Sequence, residues 1–243
     1  MVLYLIGLGL GDAKDITLKG IDRVKKSDYV YLESYTSKLA CPISELEQLY
    51  GKKIILADRA FVEDGWEILK HSKKQNVALL IIGDVFGATT HISLWKQAVE
   101  EGITVEIIHN ASILTAVGET GLELYKFGKV TSIPFAHKDV VTPVTVFKEN
   151  QSLGLHTLFL LDLDPLHVKY MSVSEATQYL VNKGVDKKLT AVACCALGTK
   201  HAKIVVRSLN DFKDFKYPHY PQCLIIPGKL HFVEEECLEL FKD

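Results

Sequence analysis

Val2-Leu3-Tyr4-Leu5-Ile6-Gly7-Leu8-Gly9-Leu10-Gly11-Asp12 decides how the chain begins to fold. An apolar run that ends in closely spaced glycines reads as a buried strand that turns tightly and lets a ligand approach its backbone. The spacing is not that of a dinucleotide fingerprint. G-x-G-x-x-G is required, and here the third glycine stands one residue early. Glu33, at the end of the next strand, is only a loose counterpart of the ribose-binding acid. No G-K-[ST] follows, so the turn is not a P-loop either. A plain strand-to-helix turn explains the glycines equally well.

Outward from this strand the pattern alternates. Apolar spacing predicts helices over 16–26, capped by Asp15, then 42–50, 66–72, 91–101 and 112–125. Strands are predicted over 29–32, 53–57, 76–82 and 104–108. Such alternation specifies an α/β layer with a mostly parallel sheet. The second half reads differently. Strands over 130–135, 156–163, 189–197, 203–209 and 222–227 have few helices between them, which suits a mixed sheet. One helix covers 171–182, opened by the capping-box pair Ser172 and Glu175. Another covers 231–241, with Glu234 to Glu236 as a solvated first turn. The expected domains are 1–128 and 129–243.

Composition narrows the function classes. The 243 residues are 48% hydrophobic and 24% charged, with 28 Lys and Arg against 30 Asp and Glu. That is a globular composition, and a formal charge of -2 argues against bulk coating of nucleic acid or an anionic membrane. Five cysteines without C-x-x-C spacing read as reduced thiols of a cytoplasmic protein. The histidines lack metal-ligand spacing, so no metal is expected. No secretory leader is evident, and no apolar stretch is long enough to span a membrane.

Three polar turns follow strand ends: the glycine turn, Gly83 to His91, and His109 to Ile113. They converge on one rim of one sheet, where open α/β sheets bind ligands. Taken singly, each has a bland reading. Asp84 could close a turn, Thr89, Thr90 and Ser112 could cap helices, and His231 could be structural.

Taken together, these residues resemble a known family. Gly7 to Thr17, Leu32-Glu33-Ser34-Tyr35-Thr36-Ser37, Gly83-Asp84 with Ala88-Thr89-Thr90-His91, and His109-Asn110-Ala111-Ser112-Ile113 resemble the diphthine synthases. So do Gly154 to Leu158 with Leu161-Asp162, Tyr170 to Val173, and Ile225 to His231. The likeness is nearer to the eukaryotic, methyl-ester-forming branch, within the tetrapyrrole-methylase-like class of methyltransferases. It implies a two-domain α/β homodimer, with S-adenosyl-L-methionine held between the domains. It also implies elongation factor 2 as protein substrate, methylated on the 3-amino-3-carboxypropyl arm of a modified histidine. Cofactor contacts carry over to Leu10, Asp84, Gly87, Ser112, Ile113, Leu163 and His231, and by spacing alone to Val206. Val85 stands where the family often has proline. The stretch 194–203 is short and reads Cys195-Ala196-Leu197-Gly198 where an arginine often stands. No catalytic side chain is assigned, because in-line methyl transfer from a sulfonium needs alignment rather than a protein nucleophile. A same-fold enzyme acting on a tetrapyrrole or another small molecule is the alternative within enzymes. A binding module that has lost activity is the alternative outside them. The glycine spacing disfavours a nicotinamide-linked reductase.

Overall fold

The computed structural model describes residues 1–165 and 167–242. The chain divides into two compact units, Met1–Ala116 and Val117–Asp243.

The first unit runs β1 (Val2–Gly7), α1 (Leu18–Lys26), β2 (Tyr29–Glu33), α2 (Ile43–Tyr50), β3 (Ile55–Ala57), α3 (Arg59–Asp64), α4 (Trp66–Ser72), β4 (Val77–Ile81), α5 (Ile92–Glu100), β5 (Thr104–Ile108) and a short α6 (Ile113–Ala116). Its sheet has the order β3-β2-β4-β1-β5, all parallel. The inner strands β1 and β4 are buried on both faces, as their unbroken apolar runs require. Leu3, Leu5, Leu79 and Ile81 pack with Val62, Ile68, Leu94 and Ala98 of α3, α4 and α5. Tyr4, Ile6, Ala78 and Leu80 pack on the other side with Val24, Leu46 and Tyr50 of α1 and α2. Neighbouring strands β1 and β4 therefore send their following helices to opposite faces. That is a topological switch point, the position at which open α/β sheets bind ligands beyond the carboxyl ends of their strands.

The second unit contains β6 (Thr131–Ile133), α7 (Thr142–Ser152), β7 (Thr157–Leu161), β8 (Leu163–Asp164), β9 (Lys169–Tyr170), α8 (Val173–Asn182), β10 (Thr190–Cys195), β11 (Lys203–Ser208), β12 (Gln222–Ile226) and α9 (Phe232–Glu239). Its sheet, β11-β10-β12-β7-β6, is antiparallel except where β6 meets β7. One face packs Phe159, Ala193 and Leu224 against Phe147 of α7 and Val173, Ala176 and Leu180 of α8.

The structure departs from the expected elements in particular places. The helix over 112–125 is broken into α6 and two 3-10 turns, Val117–Thr120 and Leu124–Lys126. Gly121 sits there at φ +82°, and a Cβ on it would lie 2.2 Å from Cys237 Cβ. Residues 117–128, expected in the first domain, belong to the second unit through that contact and through Glu123 and Lys126, which both bind Glu234. The strand over 156–163 splits because Asp162 accepts the Phe135 and Leu163 N–H groups at 2.8 and 2.9 Å, turning the chain into the β8–β9 hairpin. Asp15 is not the cap of α1. Thr17 is, accepting Gly20 N–H at 3.0 Å, while Asp15 accepts Gly11 N–H. Helices α3 and α7 lie outside the expected set. The β-branched run Val144-Thr145-Val146 conceals α7, which has Pro143 in its first turn.

Glu234 corrects the solvated first turn. Its side chain is fully buried. It accepts the N–H groups of Glu123 and His231 at 2.9 and 2.8 Å, the His156 Nε2–H at 2.9 Å, and the Lys126 ammonium. Gly228 N–H donates to His156 Nδ1 at 2.9 Å, which fixes the neutral imidazole with its proton on Nε2. Burial alone would raise the Glu234 carboxyl, but Lys126 and the three N–H donors outweigh it and hold it at about 2. Burial pushes His156 below its usual range.

Both groups have depressed folded-state values, so their contributions are present at neutral pH and are lost on acidification. For His156 the loss begins as pH falls through about 6.5, and for Glu234 it runs from about 4.5 toward 2. Glu234→Gln is expected to lower stability at pH 7 by about 3 kcal/mol and to flatten the acid limb. Urea unfolding midpoints measured between pH 7 and pH 3 check both effects.

Candidate functional site

Three chain segments leave the carboxyl ends of β4, β1 and β5, which are neighbours in the sheet, and side chains stitch them together. Gly9 and Gly83 exchange backbone hydrogen bonds, N–H to carbonyl, at 3.1 and 2.8 Å. Asp84, just past β4, accepts Phe86 N–H at 3.0 Å through Oδ1. Through Oδ2 it accepts Asn110 N–H at 3.0 Å and the His109 ring at 2.8 Å. Asn110, just past β5, donates its amide to the carbonyls of Gly7 and Asp15 at 3.0 and 2.9 Å. Glu33 extends the stitching to β2. It is completely buried and accepts the N–H groups of Ile82, Tyr35 and Thr36 at 3.2, 3.2 and 3.0 Å.

The electrostatics of the rim follow from these contacts. Burial would raise the Asp84 carboxyl, yet the Phe86 and Asn110 N–H groups and the His109 ring hold it below the usual carboxylate range. Asp84 is thus a fixed negative charge, with its side chain only 14% exposed. A carboxylate offers about four acceptor positions, and three are used here. Gly87 supplies the other constraint. A Cβ there would meet Ser112 Oγ at 2.5 Å and Ser112 Cβ at 2.8 Å, so only glycine lets the β4 loop lie against the turn after β5. Ser112 is buried and accepts Leu114 N–H at 3.1 Å. Val85, where the family often has proline, is fully buried in the core and leaves the turn intact.

Among the positions carried over by resemblance, Leu10, Asp84, Gly87, Ser112 and Ile113 all stand on this rim of the first unit. The other three are dispersed in the second unit. Leu163 lies in β8, past the carboxyl end of β7. His231 follows β12, which runs antiparallel to β7 with Ile226 opposite Thr157, so it lies toward the other end of those strands. Val206 is buried within β11, and its N–H donates to the Phe241 carbonyl at 2.9 Å. Sequence reading missed the tie that Asn110 makes to β1. Glu33, there only a loose counterpart of a ribose-binding acid, is enclosed and spent on the loop backbone. The signal for Glu33 was present: a strand-end acid followed by Ser-Tyr-Thr, whose backbone turns back onto it. The buried thiols offer no nucleophile. Cys194 is pushed well up by Cys223 beside it and by burial, and burial pushes Cys195 up to about 12.

Comparison with known proteins shows the family and the fold. A family model described as Tetrapyrrole (Corrin/Porphyrin) Methylases matches residues 2–213. The chain belongs to that family and is a methyltransferase. Within the family it stands with the diphthine synthases. The diphthine methyl ester synthase of Homo sapiens is 40% identical over 271 residues, covering 99% of this chain and 95% of that protein. The diphthine synthase of Methanocaldococcus jannaschii is 39% identical, with 98% of each chain covered. A crystal structure of diphthine synthase superposes with a TM-score of 0.94 at 36% identity, covering 100% of this chain and 96% of the other.

Gly87→Ala is expected to destabilise the protein by about 1–3 kcal/mol through overpacking against Ser112. Adding Ser112→Gly removes both clashing atoms, so the double variant should regain most of that loss. Thermal unfolding of the two single variants and the double variant measures this non-additivity.

Proposed function

We infer that this methyltransferase uses S-adenosyl-L-methionine to methylate the 3-amino-3-carboxypropyl arm of the modified histidine of elongation factor 2, in diphthamide biosynthesis. The observation that carries the reading is identity of about 40% to diphthine synthases along essentially the whole chain. The rim of the first unit supports it physically. S-adenosyl-L-methionine has no phosphate, which suits glycine turns without a phosphate fingerprint. Its amino group and sulfur are cationic, which suits Asp84, an acid held ionised with one acceptor position to spare. Bound there, it would supply a methyl group activated on a positively charged sulfur.

We propose Leu10, Asp84, Gly87, Ser112 and Ile113 as its contacts. Leu163, Val206 and His231 are proposed on the resemblance alone. The residues contribute alignment, a fixed negative charge and exclusion of water. The acceptor amine must be neutral to attack, and desolvation on binding favours that form without a dedicated base. Methylation of the arm's carboxylate, giving the methyl ester, is proposed from the likeness to the eukaryotic branch. A homodimeric, cytoplasmic form is proposed on the same ground.

Mass spectrometry of elongation factor 2 bearing the unmethylated arm is the test. After reaction with this enzyme and methyl donor, the histidine peptide should gain the mass of three methyl groups, or four if the ester also forms. Porphyrinoid substrates should gain none. An unmodified peptide alongside a methylated porphyrinoid would reverse the assignment. Asp84→Asn should weaken binding of the methyl donor by about tenfold, read by calorimetry.

A further inference from the structure

A protein acceptor must be gripped somewhere besides its reacting side chain, and the second unit contains a groove suited to that. Its volume is about 630 Å3, and its lining comes from the loop after β6, from β9 and from α8. Lys138, Lys169 and Lys183 line it, together with His137, Phe135 and Tyr179.

All of these groups except the Lys138 side chain, which is exposed, are held in place by the fold. Lys169 Nζ lies 3.9 Å from the centre of the Phe135 ring. Lys183 Nζ donates to the Lys138 carbonyl at 2.7 Å. His137 donates from Nδ1 to the Pro134 carbonyl at 2.9 Å, and its ring meets Tyr179 edge-on with centroids 4.9 Å apart. The Tyr179 hydroxyl donates to the Val140 carbonyl at 2.9 Å. Among the described lining residues the one carboxylate is Glu175, and it is already engaged. Its Oε2 accepts Ser172 N–H and Oγ–H at 2.8 and 2.7 Å, closing the cap of α8. Among the described residues no ion pair joins any of the three lysines to a carboxylate.

We propose that this groove docks an acidic segment of the protein acceptor, laying carboxylates against Lys138, Lys169 and Lys183 and an apolar side chain against Phe135. The proposal rests on the reading that the acceptor is a protein. A nucleic acid would need a longer cationic track than three lysines, on a chain whose formal charge is -2. Fixed cations beside an aromatic ring suit a short acidic peptide stretch, and pairs at such a rim act mainly on encounter and affinity.

The test is steady-state methylation of elongation factor 2 by the wild type, by Lys169→Glu with Lys183→Glu, and by Lys169→Arg with Lys183→Arg. The reversed pair is expected to raise KM for the protein acceptor roughly tenfold, with kcat and affinity for the methyl donor unchanged. The arginine pair should keep the wild-type KM. Wild-type KM should rise with salt, and that of the reversed pair should respond little. If the reversed pair loses donor binding, and so its fold, Lys138→Glu on the exposed loop carries the same KM comparison. An unchanged KM in folded variants overturns the proposal. So does a result in which the variants lose affinity for a single-stranded RNA probe while KM for the protein stays the same. A wild type that methylates no protein overturns the acceptor reading instead, and this shows before any variant is compared.

Discussion

Two side chains, Asp84 and Asn110, hold together the carboxyl ends of three neighbouring strands, and the candidate site depends on them. Asp84 joins the segments after β4 and β5, while Asn110 joins those after β5 and β1. The exchanged Gly9 and Gly83 bonds close the remaining side. Each bond to the carboxylate contributes about 1.5–3 kcal/mol net, because its acceptor is charged. An acid used in this way is a fixture of the fold before it is a ligand group. Its ionisation comes from the same N–H groups that position it.

On the proposed function, this arrangement would let a parallel sheet hold a methyl donor without the phosphate-binding signature of dinucleotide enzymes. The switch point between β1 and β4 sends the helices that follow them to opposite faces of the sheet. Gly87 lets the β4 loop press on Ser112, and Asp84 fixes a negative charge on the rim, where the proposed cationic cofactor would use it. None of these features needs a reactive side chain. The second unit has its own internal fixture, the enclosed Glu234 with Lys126 and His156, built on the same rule that a buried carboxylate collects donors on every side.

Much of this was legible in the sequence, and the failures have physical causes. Strands β1 and β4 were legible because strands buried on both faces are continuous apolar runs. The capping box at Ser172 and Glu175 was legible because it is local. Helix α7 was not, since its β-branched stretch imitates a strand and only tertiary packing makes it helical. The break after Ala116 depends on Cys237 lying against Gly121, a contact more than a hundred residues away in sequence. Glu234 looked like one of three solvated acids because its partners, Lys126 and His156, come from distant segments. At the site, Asp84 and Ser112 were visible as strand-end polar residues. Their shared partners were not, because hydrogen bonds between loops leave no periodicity.

The central claim is that the methyl donor binds on the stitched rim of the first unit. Amide hydrogen exchange with and without saturating S-adenosyl-L-homocysteine tests it most directly. The account predicts slowed exchange in the segments over 83–88 and 110–114, where Asp84, Gly87, Ser112 and Ile113 lie. Tight binding that leaves exchange in both segments unchanged would contradict it.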